Sequence, residues 1–187
     1  MPVIDFNATM CKHCYKCVRN CDVKAIMVRD GRAIIMPNRC VVCGQCVRCC
    51  PQSAKVSSSE LELVKSFMAD GHRVIVSLSS SFMSLFPSVR PGQMKGALLE
   101  LGFSAVRDVS EGAALVTEEY IKLLREGKME NIITSLCPSI NDLIEIYYPQ
   151  LIPYVAQVDP PSIAHAKLIK AEEPDARVVF IGPCVAE

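Results

Sequence analysis

Residues 11–21, CKHCYKCVRNC, and residues 40–50, CVVCGQCVRCC, contain the same cysteine spacing, C-x2-C-x2-C-x3-C. Each cysteine of the first run has a counterpart 29 residues later, and the two runs are Cys11, Cys14, Cys17, Cys21 and Cys40, Cys43, Cys46, Cys50. The same displacement relates Val18 to Val47 and Ala25 to Ala54. The repeat therefore extends beyond the cysteines and indicates a duplicated segment.

The spacing within each run predicts how the thiolates are shared between two metal clusters. Three cysteines at i, i+3 and i+6 can surround one face of an iron–sulfur cubane, whereas the fourth points away from it. This is the arrangement of two-cluster bacterial ferredoxins, in which the fourth cysteine of each run binds the other cluster. The predicted ligand sets are Cys11, Cys14, Cys17 and Cys50 for one [4Fe–4S] cluster, and Cys40, Cys43, Cys46 and Cys21 for the other.

Two other interpretations of the cysteines, as disulfides or as zinc ligands, fit their spacing less well. Nine of the eleven lie within residues 11–50, and in an unsecreted chain dense cysteine indicates metal rather than disulfides. Zinc ribbons use two C-x2-C pairs per ion, whereas two triplets with a fourth cysteine at +4 favour cubanes. Asp22 replaces the proline that usually follows the fourth cysteine and that Pro51 provides in the second run. Cys49 is an additional cysteine, interpreted as a small buried side chain.

Charge is distributed unevenly along the 187 residues. The first 56 residues contain nine Lys and Arg and three Asp and Glu, whereas the remainder contains eleven and seventeen. Two anionic clusters would largely offset the positive excess, which disfavours nucleic-acid binding. No apolar stretch approaches the roughly 20 residues of a membrane span, and the N-terminus lacks a signal-peptide pattern, so we expect no membrane association and a cytoplasmic protein.

The remaining sequence predicts a second domain of a different class. Residues 1–56 form the predicted ferredoxin domain, in which Asp30-Gly31 predicts a hairpin between residues 26–29 and 33–36. Residues 57–72 form a connecting helix, and residues 73–187 an α/β lobe. In that lobe the predicted strands are 73–79, 105–109, 131–135 and 177–181, and the predicted helices are 91–101, 113–126, 138–146 and 161–170. This alternation predicts a parallel sheet. The fold class is thus an α+β ferredoxin-like two-cluster module followed by an α/β parallel-sheet lobe.

Two cysteines of the lobe each follow a predicted strand and adjoin a proline. Cys137 comes after strand 131–135 and Cys184 after strand 177–181. Because the carboxyl ends of parallel strands lie on one edge of a sheet, we expect the two cysteines on the same rim. The alternative that they are buried apolar side chains stays open.

Around these cysteines the sequence resembles the iron-only ([FeFe]) hydrogenase large subunit. The segment from Thr134 to Pro138 is similar to the family's T-S-C-C-P motif, and the segment from Ile181 to Cys184 to its M-P-C motif. The resemblance implies that Cys137 and Cys184 bind the cubane half of the hydrogen-activating H-cluster. That cubane needs four cysteines, and the family supplies the other two from a motif beyond Glu187. The H-cluster is therefore expected only in a longer chain.

Departures from the family motifs bear on the expected activity. Leu136 replaces a cysteine that passes protons in the family, and Glu187 stands where a lysine is expected. The pair Glu118 and Glu119 is interpreted as a remnant of the proton relay, although a solvated helix face explains the pair nearly as well. With leucine at this position, the motif resembles that of the sensory or regulatory branch of the family.

Three functions are consistent with these observations. The favoured one is electron transfer through two [4Fe–4S] clusters to or from a hydrogenase-type site, in the front portion of a sensory hydrogenase-like protein, with a redox protein or a downstream signalling domain as partner. The second is a non-catalytic relative in iron–sulfur assembly or binding. The third, hydrogenase activity (H2 to two protons and two electrons), requires ligands supplied beyond this chain.

Overall fold

The computed structural model describes residues 3–127 and 129–187, with the backbone alone at Asp5. In chain order the elements are β1 (Ile4–Phe6), α1 (Lys16–Arg19), β2 (Ile26–Arg29), β3 (Arg32–Ile35), α2 (Gln45–Arg48), β4 (Lys55–Ser57), α3 (Leu61–Ala69), β5 (Val74–Leu78), α4 (Phe82–Leu85), α5 (Pro91–Glu100), β6 (Ala105–Asp108), α6 (Ser110–Glu126), α7 (Pro138–Tyr147), a 3₁₀ helix (Pro149–Tyr154), α8 (Pro161–Glu172) and β7 (Arg177–Ile181).

The chain divides into two compact units, and neither is continuous in sequence. The cysteine-rich unit consists of the described residues up to Ser59 together with Cys137–Val155 and Cys184–Glu187. The sheet unit consists of Glu60–Leu136 and Ala156–Pro183. The sequence-based boundaries at residues 56 and 72 stay predictions.

Two short antiparallel strand pairs build the cysteine-rich unit. Strand β1 pairs with β4, and β2 pairs with β3. The β2–β3 hairpin confirms the sequence prediction, because its turn residues Asp30 and Gly31 both have a positive φ, of 51° and 73°. That backbone matches the right-handed twist of the flanking strands.

The duplication seen in the sequence is also present in the backbone of this unit. Three pairs of residues with left-handed φ are separated by 29 positions, namely His13 and Val42, Tyr15 and Gly44, and Lys24 and Ser53. Helices α1 and α2 are related by the same displacement. A left-handed φ is unfavourable for a β-branched residue such as Val42, so the surrounding structure must impose it.

The sheet unit is built on three parallel strands in the order β6-β5-β7. The central strand β5 is buried at all five positions, as its sequence, apolar except at Ser77, predicts. One side of the core contains Val76, Leu78, Phe82, Leu98 and Val106. Another cluster contains Ile75, Ile169 and Ala176. The α/β class with a parallel sheet is thus confirmed for this unit.

The predicted strand at residues 131–135 is wrong. Only Ile133 is in a bridge, and its carbonyl accepts the backbone N–H of Ala156. The N–H of Ser135 donates to the hydroxyl of Tyr120 at 3.0 Å, while the Ser135 hydroxyl donates to the carbonyl of Val158. A side chain therefore takes the place of a strand partner, and the segment runs as a loop.

One polar pair lies inside the core of the sheet unit. The hydroxyl of Ser77 and Nδ1 of His165 are 2.8 Å apart, and both residues are fully buried. Nε2 of His165 has no hydrogen-bond partner among the described residues, and the nearest carboxylate oxygen, of Glu111, lies 3.9 Å away. Burial lowers the pKa of His165 below its ordinary value, because a dry environment disfavours the imidazolium.

None of the helices in the described part of the chain has both the length and the apolar character needed to cross a membrane.

Candidate iron–sulfur centres

Two narrow cavities in the cysteine-rich unit are each lined by four cysteines. The first has a volume of about 20 Å³, and its cysteines, called the first cysteine set, are Cys11, Cys14, Cys17 and Cys50. The second also has a volume of about 20 Å³, and its cysteines, called the second cysteine set, are Cys21, Cys40, Cys43 and Cys46. Each set thus takes three cysteines from one repeat and one from the other.

The walls around the cysteines present mostly apolar surface, although polar and charged side chains, including Lys16, Gln52 and Lys55, also line the first cavity. Ala33, Ala54 and Phe6 contribute to the first cavity, and Ile4, Ile26 and Ile35 contribute to the second. Such walls exclude water and strengthen any electrostatic interaction with the sulfur atoms.

Burial acts directly on the thiols. It raises the pKa of Cys46 to about 11 and also raises the pKa values of Cys17 and Cys40. At Cys50 burial acts in the same direction, but backbone N–H groups, that of Ala54 foremost, outweigh it and the pKa is lowered. Because a metal ligand must be a thiolate, binding of iron would have to displace protons from these sites.

Backbone donors approach the last cysteine of each run in the same way. The N–H of Ala25 donates to Sγ of Cys21 at 3.2 Å, and the N–H of Ala54 donates to Sγ of Cys50 at 3.3 Å. In each case the donor lies four residues after the cysteine. N–H donors stabilise negative charge on sulfur, so both sites are prepared for thiolates.

The donor chemistry fits a pair of iron–sulfur cubanes. Each cavity offers four cysteines, apolar walls and at least one N–H donor to sulfur. Among the described residues no group of three or more His, Cys, Asp or Glu is gathered as around a single metal ion. In a cubane each cysteine binds a different iron, so its ligands are distributed around four metal atoms.

Cys49 stands apart from both sets. It lines neither cavity, and its thiol donates to the carbonyl of Cys46 at 3.7 Å. Burial raises its pKa, as is expected for a thiol that stays protonated.

Cys137 and Cys184 are both exposed. Cys137 lies immediately before α7, and Cys184 follows the end of β7 by three residues. Residues 131–135 are not a strand, so the predicted placement of Cys137 after a strand at the sheet rim is wrong. Whether the two thiols share a cluster stays a prediction.

The proposed relay remnant lies on the surface of the sheet unit. Glu118 and Glu119 are both exposed on α6, and Glu119 forms an ion pair with Lys122. That placement fits the solvated-face interpretation, and a role in proton transfer stays a prediction.

Sequence reasoning missed two residues that contact these sites. Lys55 is buried and lines the first cavity, although no periodic pattern marks it. The hydroxyl of Tyr147, at the end of α7, lies 2.8 Å from the carbonyl oxygen of Arg39 and 3.1 Å from that of Val23, and its one proton is shared between them. Nothing in the local sequence around either residue could have indicated these contacts, since their partners are distant in the chain.

The burial of Asp142 adds a further electrostatic influence within the cysteine-rich unit. Burial, followed by the neighbouring Glu145, raises the pKa of Asp142. Its carboxylate in turn contributes to the raised pKa of Cys40. The negative charge of the Asp142 carboxylate therefore disfavours the thiolate form of Cys40, a member of the second cysteine set.

Comparison with known proteins gives consistent matches. The curated "NADP-reducing hydrogenase subunit HndD" of Solidesulfovibrio fructosivorans is 27% identical over 95% of this chain. This chain spans 37% of that relative's length.

Solved structures show the likeness at the level of fold. A variant of the [FeFe]-hydrogenase HydA1 from Chlamydomonas reinhardtii superposes with a TM-score of 0.54 at 24% identity, over 68% of this chain and 38% of that one. An [FeFe]-hydrogenase structure concerned with oxygen inactivation through the 2Fe subcluster of its H cluster gives a TM-score of 0.55, with the same identity and coverage.

Residues 71–187 match the family described as "Iron only hydrogenase large subunit, C-terminal domain". This match includes the Cys137 and Cys184 motifs on which the sequence resemblance rests. The chain belongs to the iron-only hydrogenase large subunit family.

Proposed function

We propose that this chain is an iron–sulfur electron-transfer protein that carries two [4Fe–4S] clusters and relays electrons to or from a hydrogenase-type site. The observation that carries the proposal is the lining of the two cavities by the first and second cysteine sets. Family membership of residues 71–187 supports the hydrogenase-type destination.

The chain's own residues would perform three tasks in this function. The eight thiolates would hold the clusters, and the N–H groups of Ala25 and Ala54 would stabilise the charge on Cys21 and Cys50. The apolar walls would keep water away from the metal. When bound, the clusters supply one-electron redox chemistry.

A sensory or regulatory role is the form of this function that Leu136 favours. A hydrocarbon side chain cannot accept or donate a proton, so transfer at this position is absent. Cys137 and Cys184 would provide two of the four ligands of the H-cluster cubane, and further ligands would have to come from outside the sequence described. The proposed partner is a redox protein or a signalling domain.

The crossed ligand sets can be tested by counting iron in paired cysteine variants purified without oxygen. The unsubstituted chain should contain about eight irons, four for each cluster. The double variant Cys11→Ala/Cys50→Ala removes two ligands from one set, so it should retain about four. Cys11→Ala/Cys21→Ala removes one ligand from each set, so it should retain far fewer.

The uncrossed arrangement makes the opposite prediction and serves as the control. If each run held its own cluster, Cys11→Ala/Cys21→Ala would retain about four irons, and Cys11→Ala/Cys50→Ala would lose nearly all of them. Zinc in place of iron would overturn the proposal altogether.

A further inference from the structure

Lys55 is a buried cation in the cysteine-rich unit. It is the first residue of β4, lies opposite Phe6 in the β1–β4 pair, and is 2% exposed. Lysine is almost never fully buried unless its charge is compensated. The groups around Lys55 must therefore offset the cost of burying its charge.

Neutral groups hold the ammonium of Lys55 in place. Nζ donates to the carbonyl of Ala33 at 3.0 Å and lies 4.1 Å from the centroid of the Phe6 ring, a cation–π distance. Among the ion pairs between described side chains, none involves Lys55. Its positive charge thus remains available to other neighbours.

Those neighbours belong to both cysteine sets. Lys55 lines the first cavity itself, and with Cys40 it lines an adjoining apolar cavity. Cys40 belongs to the second cysteine set, and the four cysteines of the first set line the first cavity together with Lys55. A single lysine therefore acts on both candidate cluster sites from within a medium that screens charge weakly.

We propose that Lys55 is a positioning residue that raises the reduction potentials of both clusters at once, an inference that rests on the proposed function. A cluster gains one negative charge when it is reduced, so a buried positive charge nearby favours the reduced state. Because the charge lies near both sets, it lifts the two potentials together and keeps both clusters able to accept electrons from the same donor.

The test is an anaerobic redox titration of the full chain, followed by electron paramagnetic resonance, with three variants. Lys55→Met removes the charge and the hydrogen bond but keeps an unbranched side chain. Lys55→Gln removes the charge and keeps a donor for the Ala33 carbonyl. Lys24→Met removes the charge of an exposed lysine of the same unit and serves as the control.

We expect Lys55→Met and Lys55→Gln to lower the ratio of reduced to oxidised cluster at a fixed potential roughly tenfold for both clusters, which corresponds to about 59 mV for a one-electron couple. Lys24→Met should change the ratio much less, because solvent screens an exposed charge. Iron content is measured first in every sample.

The remaining outcomes distinguish failure of this inference from failure of the proposed function. Unchanged potentials in Lys55 variants that keep about eight irons would overturn the inference and leave the proposed function intact. Loss of iron from both Lys55 variants, but not from Lys24→Met, would also overturn it, since Lys55 would then be needed for assembly. Absence of cubane signals from the unsubstituted chain would instead overturn the proposed function.

Discussion

Gly112 lies where α6 packs closely against α8 in the sheet unit. A methyl group added there would lie 2.6 Å from Cβ of His165 and 2.7 Å from the backbone nitrogen of that residue. Neither atom can move without shifting α8, so Gly112→Ala should destabilise the fold by about 1–3 kcal/mol in a urea unfolding experiment. Gly96→Ala in α5 is the control, because its added methyl meets nothing within 4 Å and should stabilise by about 0.5–1 kcal/mol. Equal effects of the two substitutions would contradict this packing.

His165 gives the sheet unit a specific pH dependence. Its pKa in the folded chain is lowered by burial from the ordinary 6.5, with Glu111 opposing the shift and Arg107 adding to it. Below about pH 6.5 the unfolded chain therefore binds a proton that the native chain does not, so stability falls as pH falls towards the lowered pKa. The free energy of unfolding, measured from pH 7 to pH 5, should decline less steeply in His165→Gln than in the unsubstituted chain. His72→Gln replaces an exposed histidine and should retain the full decline; a flattened profile in this control would contradict the assignment.

At the scale of elements, α7 illustrates how one side chain secures a helix within the cysteine-rich unit. The Tyr147 hydroxyl shares its one proton between two carbonyl oxygens, one in each segment that flanks the β2–β3 hairpin. Tyr147→Phe removes this one donor and should cost about 0.5–1.5 kcal/mol. Hydrogen exchange in residues 138–147 should accelerate accordingly. Tyr148→Phe removes the hydroxyl of a 48% exposed neighbour and should leave exchange unchanged; matching acceleration in both variants would rule out the proposed anchoring.

Elements with a strong local signal could be predicted from the sequence, and those that depend on distant partners could not. The apolar run of β5, the proline that opens α5 and Gly71 after α3, with its φ of 76°, each act within a few residues, and the predicted limits lie close to the observed ones. Residues 131–135 have the β-branched composition of a strand. They form a loop because the hydroxyl of Tyr120, a residue on another element, satisfies the backbone of Ser135.

At the scale of the whole molecule, order along the chain differs from grouping in space. The sequence suggests one domain followed by another, whereas each compact unit is assembled from separate segments. Composition and periodicity report on neighbours in sequence, so they could not reveal that α7 groups with residues more than 80 positions earlier. The cysteine spacing, in contrast, is a local pattern with a long-range meaning: the two sets that it predicts also line the two cavities, and their role as cluster ligands stays a prediction.

The repeated left-handed backbone positions raise the question of whether one copy of the repeat could form a proposed cluster site alone. Two copies of one local conformation, related by 29 residues, make the unit an internal repeat. On the proposed ligand sets, a single copy would offer three thiolates to its own cluster and its last thiolate to a neighbour's. One copy alone would therefore be incomplete, and only pairing with an identical copy, or fusion of the two in one chain, closes both coordination shells.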